Sequence, residues 1–61
     1  MSTTLHLRRG EPVTYMGRQG NIVAVGKGVV YILFDGERRA DVIDVGILTK
    51  MVENGTASVG R

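Results

Sequence analysis

Val29-Val30-Tyr31-Ile32-Leu33-Phe34 is the stretch that decides the fold. Six consecutive apolar residues, five of them β-branched or aromatic, read as a buried strand rather than a helical turn. Gly26-Lys27-Gly28 precedes the run and Asp35-Gly36 follows it, so a turn signal bounds each end. Val29, Tyr31 and Leu33 point to one side of such a strand, and Val30, Ile32 and Phe34 to the other. Both sides are apolar. In a single-layer barrel one face meets the core and the other meets solvent, so something must cover the second face: the N-terminal arm, with Leu5 and Leu7 supplying apolar contacts, or a second copy of the chain. The face carrying Val29, Tyr31 and Leu33 is the expected oligomer interface, since small domains often gain stability from a second copy.

Outward from this strand the same punctuation repeats. Nine glycines divide the 61 residues into short runs rich in Val, Ile and Tyr. Pro12 to Tyr15 reads as a strand, with Pro12 at its first position where no ladder donor is needed. Gly17-Arg18-Gln19-Gly20 reads as a turn and Asn21 to Val25 as the next strand. Beyond the Asp-Gly turn, Ala40 to Val45 is a strand, Gly46 to Leu48 a single helical turn, and Thr49 to Val52 a last short strand. Thr3 to Leu7 alternates as an edge strand or a basic arm. No sustained apolar stripe at helical spacing predicts a long amphipathic helix. The expected class is all-β: about five short antiparallel strands curled into a small barrel that hides its sheet edges. Residues 1–9 form the arm, 10–53 the barrel, and 54–61, small and polar, a disordered tail.

Composition excludes several function classes. There is no cysteine, so neither a disulfide nor a thiolate zinc site is available. His6 is the only histidine, and no spacing pairs it with carboxylates as metal ligands. Nothing approaches the roughly 20 apolar residues of a membrane span, and no signal peptide opens the chain, so the expected compartment is the cytoplasm. No catalytic residue, metal or cofactor is expected: Ser2 and Ser58 lie near the ends, and Asp41 and Asp44, three apart, face opposite sides of a strand. The formal charge is +2, but residues 11–53 hold five positive and six negative side chains. The basic excess therefore lies in the ends.

Gly17-Arg18-Gln19-Gly20-Asn21-Ile22-Val23-Ala24-Val25, with Gly10-Glu11-Pro12-Val13 upstream, resembles the KOW-type motif of SH3-like barrels in ribosomal proteins and transcription elongation factors. Val30 to Gly36, followed by Val42 and Leu48, also looks like Tudor-like barrels appended to some DNA helicases. The resemblance spans about residues 9–52. It implies a non-enzymatic module that contacts RNA or DNA, RNA polymerase or ribosome components, and a glycine loop that presents Arg18. The expected phosphate contacts are Arg8, Arg9, Arg18, Arg38 and Arg39. The chain departs from the motif in having few lysines near the glycines. Leu5 to Glu11 resembles the opening of small dimeric carbon-storage translational regulators, although Asp35-Gly36-Glu37 stands where those carry an Ala-Pro turn. Ala40 to Leu48 resembles the corresponding part of type II dihydrofolate reductases, which are tetrameric pore enzymes. Asp41 and Ile43 stand where that family has its pore glutamine and tyrosine, so the pore chemistry is missing. The first alternative to nucleic-acid binding is a homo-oligomeric protein–protein adaptor using the apolar sheet face; the second is a pore enzyme like the type II dihydrofolate reductases, which requires a tetramer and nucleotide binding.

Overall fold

A computed structural model describes residues 7–60 of the chain. Five antiparallel strands follow in order: β1 (Pro12–Tyr15), β2 (Arg18–Val25), β3 (Val29–Phe34), β4 (Asp41–Asp44) and, after helix α1 (Val45–Glu53), β5 (Ala57–Val59). They form one sheet in the order β4-β3-β2-β1-β5. The sheet curls into a half-barrel, and α1 packs against both β4 and β5 to close its open side. The all-β expectation holds, and the architecture is consistent with a small SH3-like barrel.

The core follows from strand alternation. Val13, Ile22, Val30, Ile32, Phe34, Ile43 and Ala57 all turn to the concave side, where Leu48 of α1 meets them. Each is under a tenth exposed, and Val30, Ile32 and Leu48 are fully buried. Burying such side chains contributes about 1.5–3 kcal/mol apiece, the main favourable term for a chain of this size. Ile22 and Ala24 would share a face in a regular strand. The register shifts between them, with Ile22 opposite Ile32 and Ala24 opposite Tyr31. This β-bulge sends Ile22 inward and turns Val23 and Ala24 outward, and it increases the local bend.

Three local readings of the sequence are corrected. The turn after β1 is Met16-Gly17, not Gly17 to Gly20: Tyr15 pairs with Arg18, and φ is 51° at Met16 and 82° at Gly17. Positive φ at both central residues is the tight hairpin turn whose twist suits antiparallel strands. Gly20 lies inside β2, opposite Phe34. A Cβ there would stand 2.6 Å from the Leu33 carbonyl oxygen and 2.8 Å from the Phe34 Cα. Gly20 is therefore a glycine of close strand approach.

The second correction is α1. Residues 45–53 are one helix rather than a helical turn and a strand. Asp44 is its N-cap: Oδ1 accepts from the Gly46 and Ile47 amides at 2.8 and 3.3 Å. At the other end the Gly55 amide donates to the Val52 carbonyl and the Thr56 amide to the Met51 carbonyl. With Gly55 at φ 80°, this is the paired C-terminal motif that only a residue tolerant of left-handed φ completes cheaply. Val45, Ile47, Thr49 and Val52 are β-branched and favour strand, but the two caps and the burial of Leu48, Met51 and Val52 override that preference.

The third correction concerns the C-terminal segment. Residues 57–59, expected in a disordered tail, form β5 and pair with β1, Ala57 opposite Tyr15 and Val59 opposite Val13. Ala57 is buried, and the Gly60 amide donates to the Pro12 carbonyl at 2.7 Å. Without β5 the edge of β1 would be unpaired. The arm reading of Thr3 to Leu7 lies, apart from Leu7, outside the described residues. Leu7 is half-buried and packs on the core.

Candidate functional site

The five arginines sit on three separate segments of the chain. Arg18 opens β2, and its guanidinium lies 4.3 Å from the centroid of the Phe34 ring. Nη2 is 3.0 Å from Glu37 Oε2, and Nη1 is 3.9 Å from Asp41 Oδ2. The side chain thus closes the end of the core where Phe34 meets Tyr15, whose ring centroid is 6.1 Å away. A cation over an aromatic face contributes about 0.5–1 kcal/mol at an exposed site. It also ties the loop after β3 to the start of β2.

Arg38 and Arg39 are exposed in that loop, between β3 and β4. The loop leaves β3 through a turn in which the Glu37 amide donates to the Phe34 carbonyl at 3.0 Å. Arg8 and Arg9 are also exposed but precede β1, where the Gly10 amide donates to the Ile22 carbonyl at 2.7 Å. Asp35, by contrast, is joined to Gln19 on the same strand, its amide donating to the Gln19 carbonyl at 2.8 Å. Gln19 and Ile22 stand three residues apart on β2, about 10 Å along the strand, so the two arginine pairs leave β2 at different points. Arg18, Arg38 and Arg39 share one end, but Asp35, Glu37 and Asp41 stand among them. That end is close to neutral.

The outer face of the sheet divides in two. Over β1 and the start of β2 it is polar: Pro12, Thr14, Gln19, Asn21 and Asp35 line a shallow groove of about 230 Å³. Over the end of β2, β3 and β4 it is apolar. Ala24, Tyr31 and Val42 form one row across the three strands. Val42 is 59% exposed, Val23 39% and Tyr31 36%. Val29 and Leu33, half-buried, extend the row along β3 on either side of Tyr31. The Tyr31 ring leans toward the turn after β2, with Cε1 3.6 Å from where a Cβ on Gly26 would stand. Among the described residues nothing charged lies within this patch. Asp44 stands at one end, and the Arg38–Arg39 loop lies beyond the other.

Comparison of the chain with known protein families, curated proteins and solved structures finds no match.

Val29, Tyr31 and Leu33, the residues expected at an interface, thus all face outward. Ile32 does not: it is fully buried in the core. Sequence reasoning missed Val42 and Val23. Asp41-Val42-Ile43-Asp44 offers two adjacent apolar residues, and only the register against β3 shows which faces out. The bulge that exposes Val23 has no glycine to signal it. Among the described residues no three His, Asp or Glu side chains cluster as a metal site would require, and no helix is long and apolar enough to cross a membrane.

Proposed function

We propose that this protein is a non-enzymatic interaction module that binds protein through the outer face of β2, β3 and β4. The observation that carries the reading is the row Ala24–Tyr31–Val42, flanked by Val23, Val29 and Leu33, which among the described residues is uncovered and has no charge inside it. Scattered apolar side chains are ordinary on a surface, but a contiguous patch rimmed by polar residues marks an interaction site. Tyrosine at its centre suits an anchor, since a large ring fixes much contact area with few torsions. The test is capture with two baits, the natural chain and Val42→Lys. Val42 is the most exposed member of the row, so the substitution leaves the core untouched. Proteins held by the first bait and lost by the second support the reading. Identical capture by both refutes it.

A second reading keeps the function implied by KOW- and Tudor-like barrels: contact with RNA, DNA or the transcription and translation machinery. It is favoured by Arg8, Arg9, Arg38 and Arg39, which are exposed and carry no ion pair among the described residues. Binding through phosphates must weaken steeply with salt. Amide shifts confined to these residues and lost at physiological salt support it, and salt-independent affinity refutes it.

A further inference from the structure

We infer that Asn54–Gly55, between α1 and β5, is a site of spontaneous deamidation, and that the C-terminal cap of α1 sets its rate. The reaction is intramolecular, so the two groups that meet are already held close. The Gly55 amide loses its proton to hydroxide, and its nitrogen attacks Cγ of the Asn54 side-chain amide. Ammonia leaves, and a succinimide ring remains. Water then opens the ring at either carbonyl, leaving aspartate or isoaspartate at position 54. Water is the only co-reactant.

The surroundings single out this dipeptide. Glycine has no side chain to crowd the attacking nitrogen, and among the described residues nothing lies within 4 Å of where a Gly55 Cβ would stand. Residues 53–56 are exposed, so water and hydroxide reach the bond. The other asparagine, Asn21, is followed by Ile22, whose branched Cβ crowds its amide. Ile22 is 1% exposed, and its amide donates to the Glu11 carbonyl at 2.9 Å inside the sheet. Asp35–Gly36 has the glycine but no side-chain amide to lose.

In the folded chain the cap holds the attack off. Ring closure needs the Gly55 nitrogen eclipsed with Asn54 Cβ about the Cα–C bond. At Asn54 ψ is −4°, so that nitrogen is eclipsed instead with the amide nitrogen of Asn54 itself. The Gly55 amide donates to the Val52 carbonyl at 3.1 Å, and the Thr56 amide to the Met51 carbonyl at 2.9 Å. Swinging the Gly55 nitrogen round to Cβ breaks both bonds. The reaction therefore runs through the opened cap, and its rate in the folded chain is the open fraction times the rate in the unfolded chain. Two hydrogen bonds of ordinary net strength correspond to roughly 5- to 150-fold slowing.

The products do not rebuild the corner as the parent does. Aspartate adds negative charge at the C-terminal end of α1, where the helix dipole disfavours it. Isoaspartate routes the main chain through Cβ and Cγ and so adds one main-chain carbon just before Gly55. Thr56 is the joint of this corner. Its amide and Oγ1 both donate to the Met51 carbonyl, at 2.9 and 3.1 Å, and its own carbonyl accepts from the Met16 amide at 3.1 Å. The added carbon takes Thr56 out of register with these partners, and β5 loses its hold on β1.

The experiment ages the full chain in mildly alkaline buffer, folded and in guanidinium chloride, and follows position 54 by peptide mapping with mass spectrometry. The mass change from amide to carboxylic acid reads the reaction, and separation of the two product peptides reads the isoaspartate share. Two variants are aged beside it. Thr56→Val removes Oγ1 and leaves the dipeptide intact; Asn54→Gln can close only a larger ring, which forms far more slowly. Circular dichroism confirms that each starts folded. In guanidinium chloride position 54 should react well ahead of Asn21. The folded chain should be slower by the factor above, and Thr56→Val should react several-fold faster than the natural chain when folded but equally fast when unfolded. In the aged folded chain, amide exchange should quicken at Met16 and at Gly60, whose amide donates to the Pro12 carbonyl, while aged Asn54→Gln stays unchanged. If position 54 reacts no faster than Asn21 in the unfolded chain, the assignment of the site fails. Equal rates folded and unfolded overturn the control by the cap, as does a folded Thr56→Val chain that reacts no faster than the natural one. A modified chain with unchanged exchange at Met16 and Gly60 overturns the release of β5.

Discussion

Gly20→Ala should cost this small domain much of its stability, while Gly17→Ala costs it less and for a different reason. At Gly20 the added methyl would stand 2.6 Å from a backbone oxygen and 2.8 Å from a backbone Cα of β3. Ordinary carbon–oxygen contacts begin near about 3.3 Å, so β2 and β3 must part by about 0.7 Å. Neither contact is the end of a flexible side chain that could swing aside. The seam that opens lies beside Ile22, Ile32 and Phe34, three of the buried core residues. Overpacking of this kind costs about 1–3 kcal/mol, and the strained ladder hydrogen bonds add about 0.5–1.5 kcal/mol. A total near 3 kcal/mol compares with roughly 3–9 kcal/mol for the whole chain at the usual stability per residue. The melting temperature should fall by roughly 12–24 °C.

At Gly17 the surroundings are open, with no atom within 4 Å of an added Cβ. The cost there is the left-handed φ of 82°, worth about 1–2 kcal/mol for an ordinary residue and less for asparagine, which tolerates that region. Asparagine therefore separates the two cases. Gly17→Asn should recover most of what Gly17→Ala loses, whereas Gly20→Asn should be at least as damaging as Gly20→Ala. Thermal and urea melts followed by circular dichroism read both series. If Gly20→Ala melts within a few degrees of the natural chain, or asparagine is favoured over alanine at position 20, then Gly20 sits in a loop and the β2–β3 register is wrong.

Three further outcomes follow from local geometry. Arg18→Ala should destabilise by about 1–2 kcal/mol, from loss of the stack on Phe34 and a partly exposed ion pair to Glu37; urea melts check it, and no change would mean the guanidinium is not held there. Asp44→Ala should cost about 1 kcal/mol while Asp44→Asn stays close to neutral, because asparagine caps nearly as well; equal losses in denaturation would dissociate the effect from the cap. Gly55→Ala should cost about 1 kcal/mol and loosen β5, visible as faster amide exchange at Ala57 and Val59, because φ at Gly55 is 80°.

The strands were legible where apolar runs and turn residues agree. Val29 to Phe34 lies between two glycine turns and came out as β3 with those bounds, as did Pro12 to Tyr15 as β1. Glycine misled at the turn after β1, because it serves both turns and close approach. The spacing of Gly17 and Gly20 fits a loop equally well, and only the distance to Leu33 and Phe34 separates the two uses. Helix α1 was hidden by its four β-branched residues, although Asp44 before it and Asn54-Gly55 after it are readable cap signals. The candidate interface was half legible. Alternation placed Val29, Tyr31 and Leu33 on one side of β3, but which side faces the core depends on α1 crossing the concave face. The arginines looked like a set in sequence because type and exposure are visible there, whereas the neutralising approach of Glu37 and Asp41 to Arg18 is a tertiary fact.

One bland account of the outer face remains to be separated from an interface. Valine and tyrosine favour strands on any pleated surface, and on that account Val23, Tyr31 and Val42 serve only to hold β2, β3 and β4 extended. The one helix among the described residues, α1, covers the concave side, so those residues put no second layer on the convex side. Threonine divides the two accounts. It is β-branched and strand-favouring like valine but carries a hydroxyl that prefers water. Val42 is 59% exposed, so Val42→Thr should change folding stability by no more than about 0.5 kcal/mol, as surface substitutions generally do. On the interface reading the same change should still weaken association several-fold, because the hydroxyl must be desolvated without a partner at the centre of the patch. A threonine variant that folds and associates like the natural chain would leave strand propensity as the sufficient reason for the apolar row. A variant that folds normally and associates poorly would show that the row does something propensity does not require.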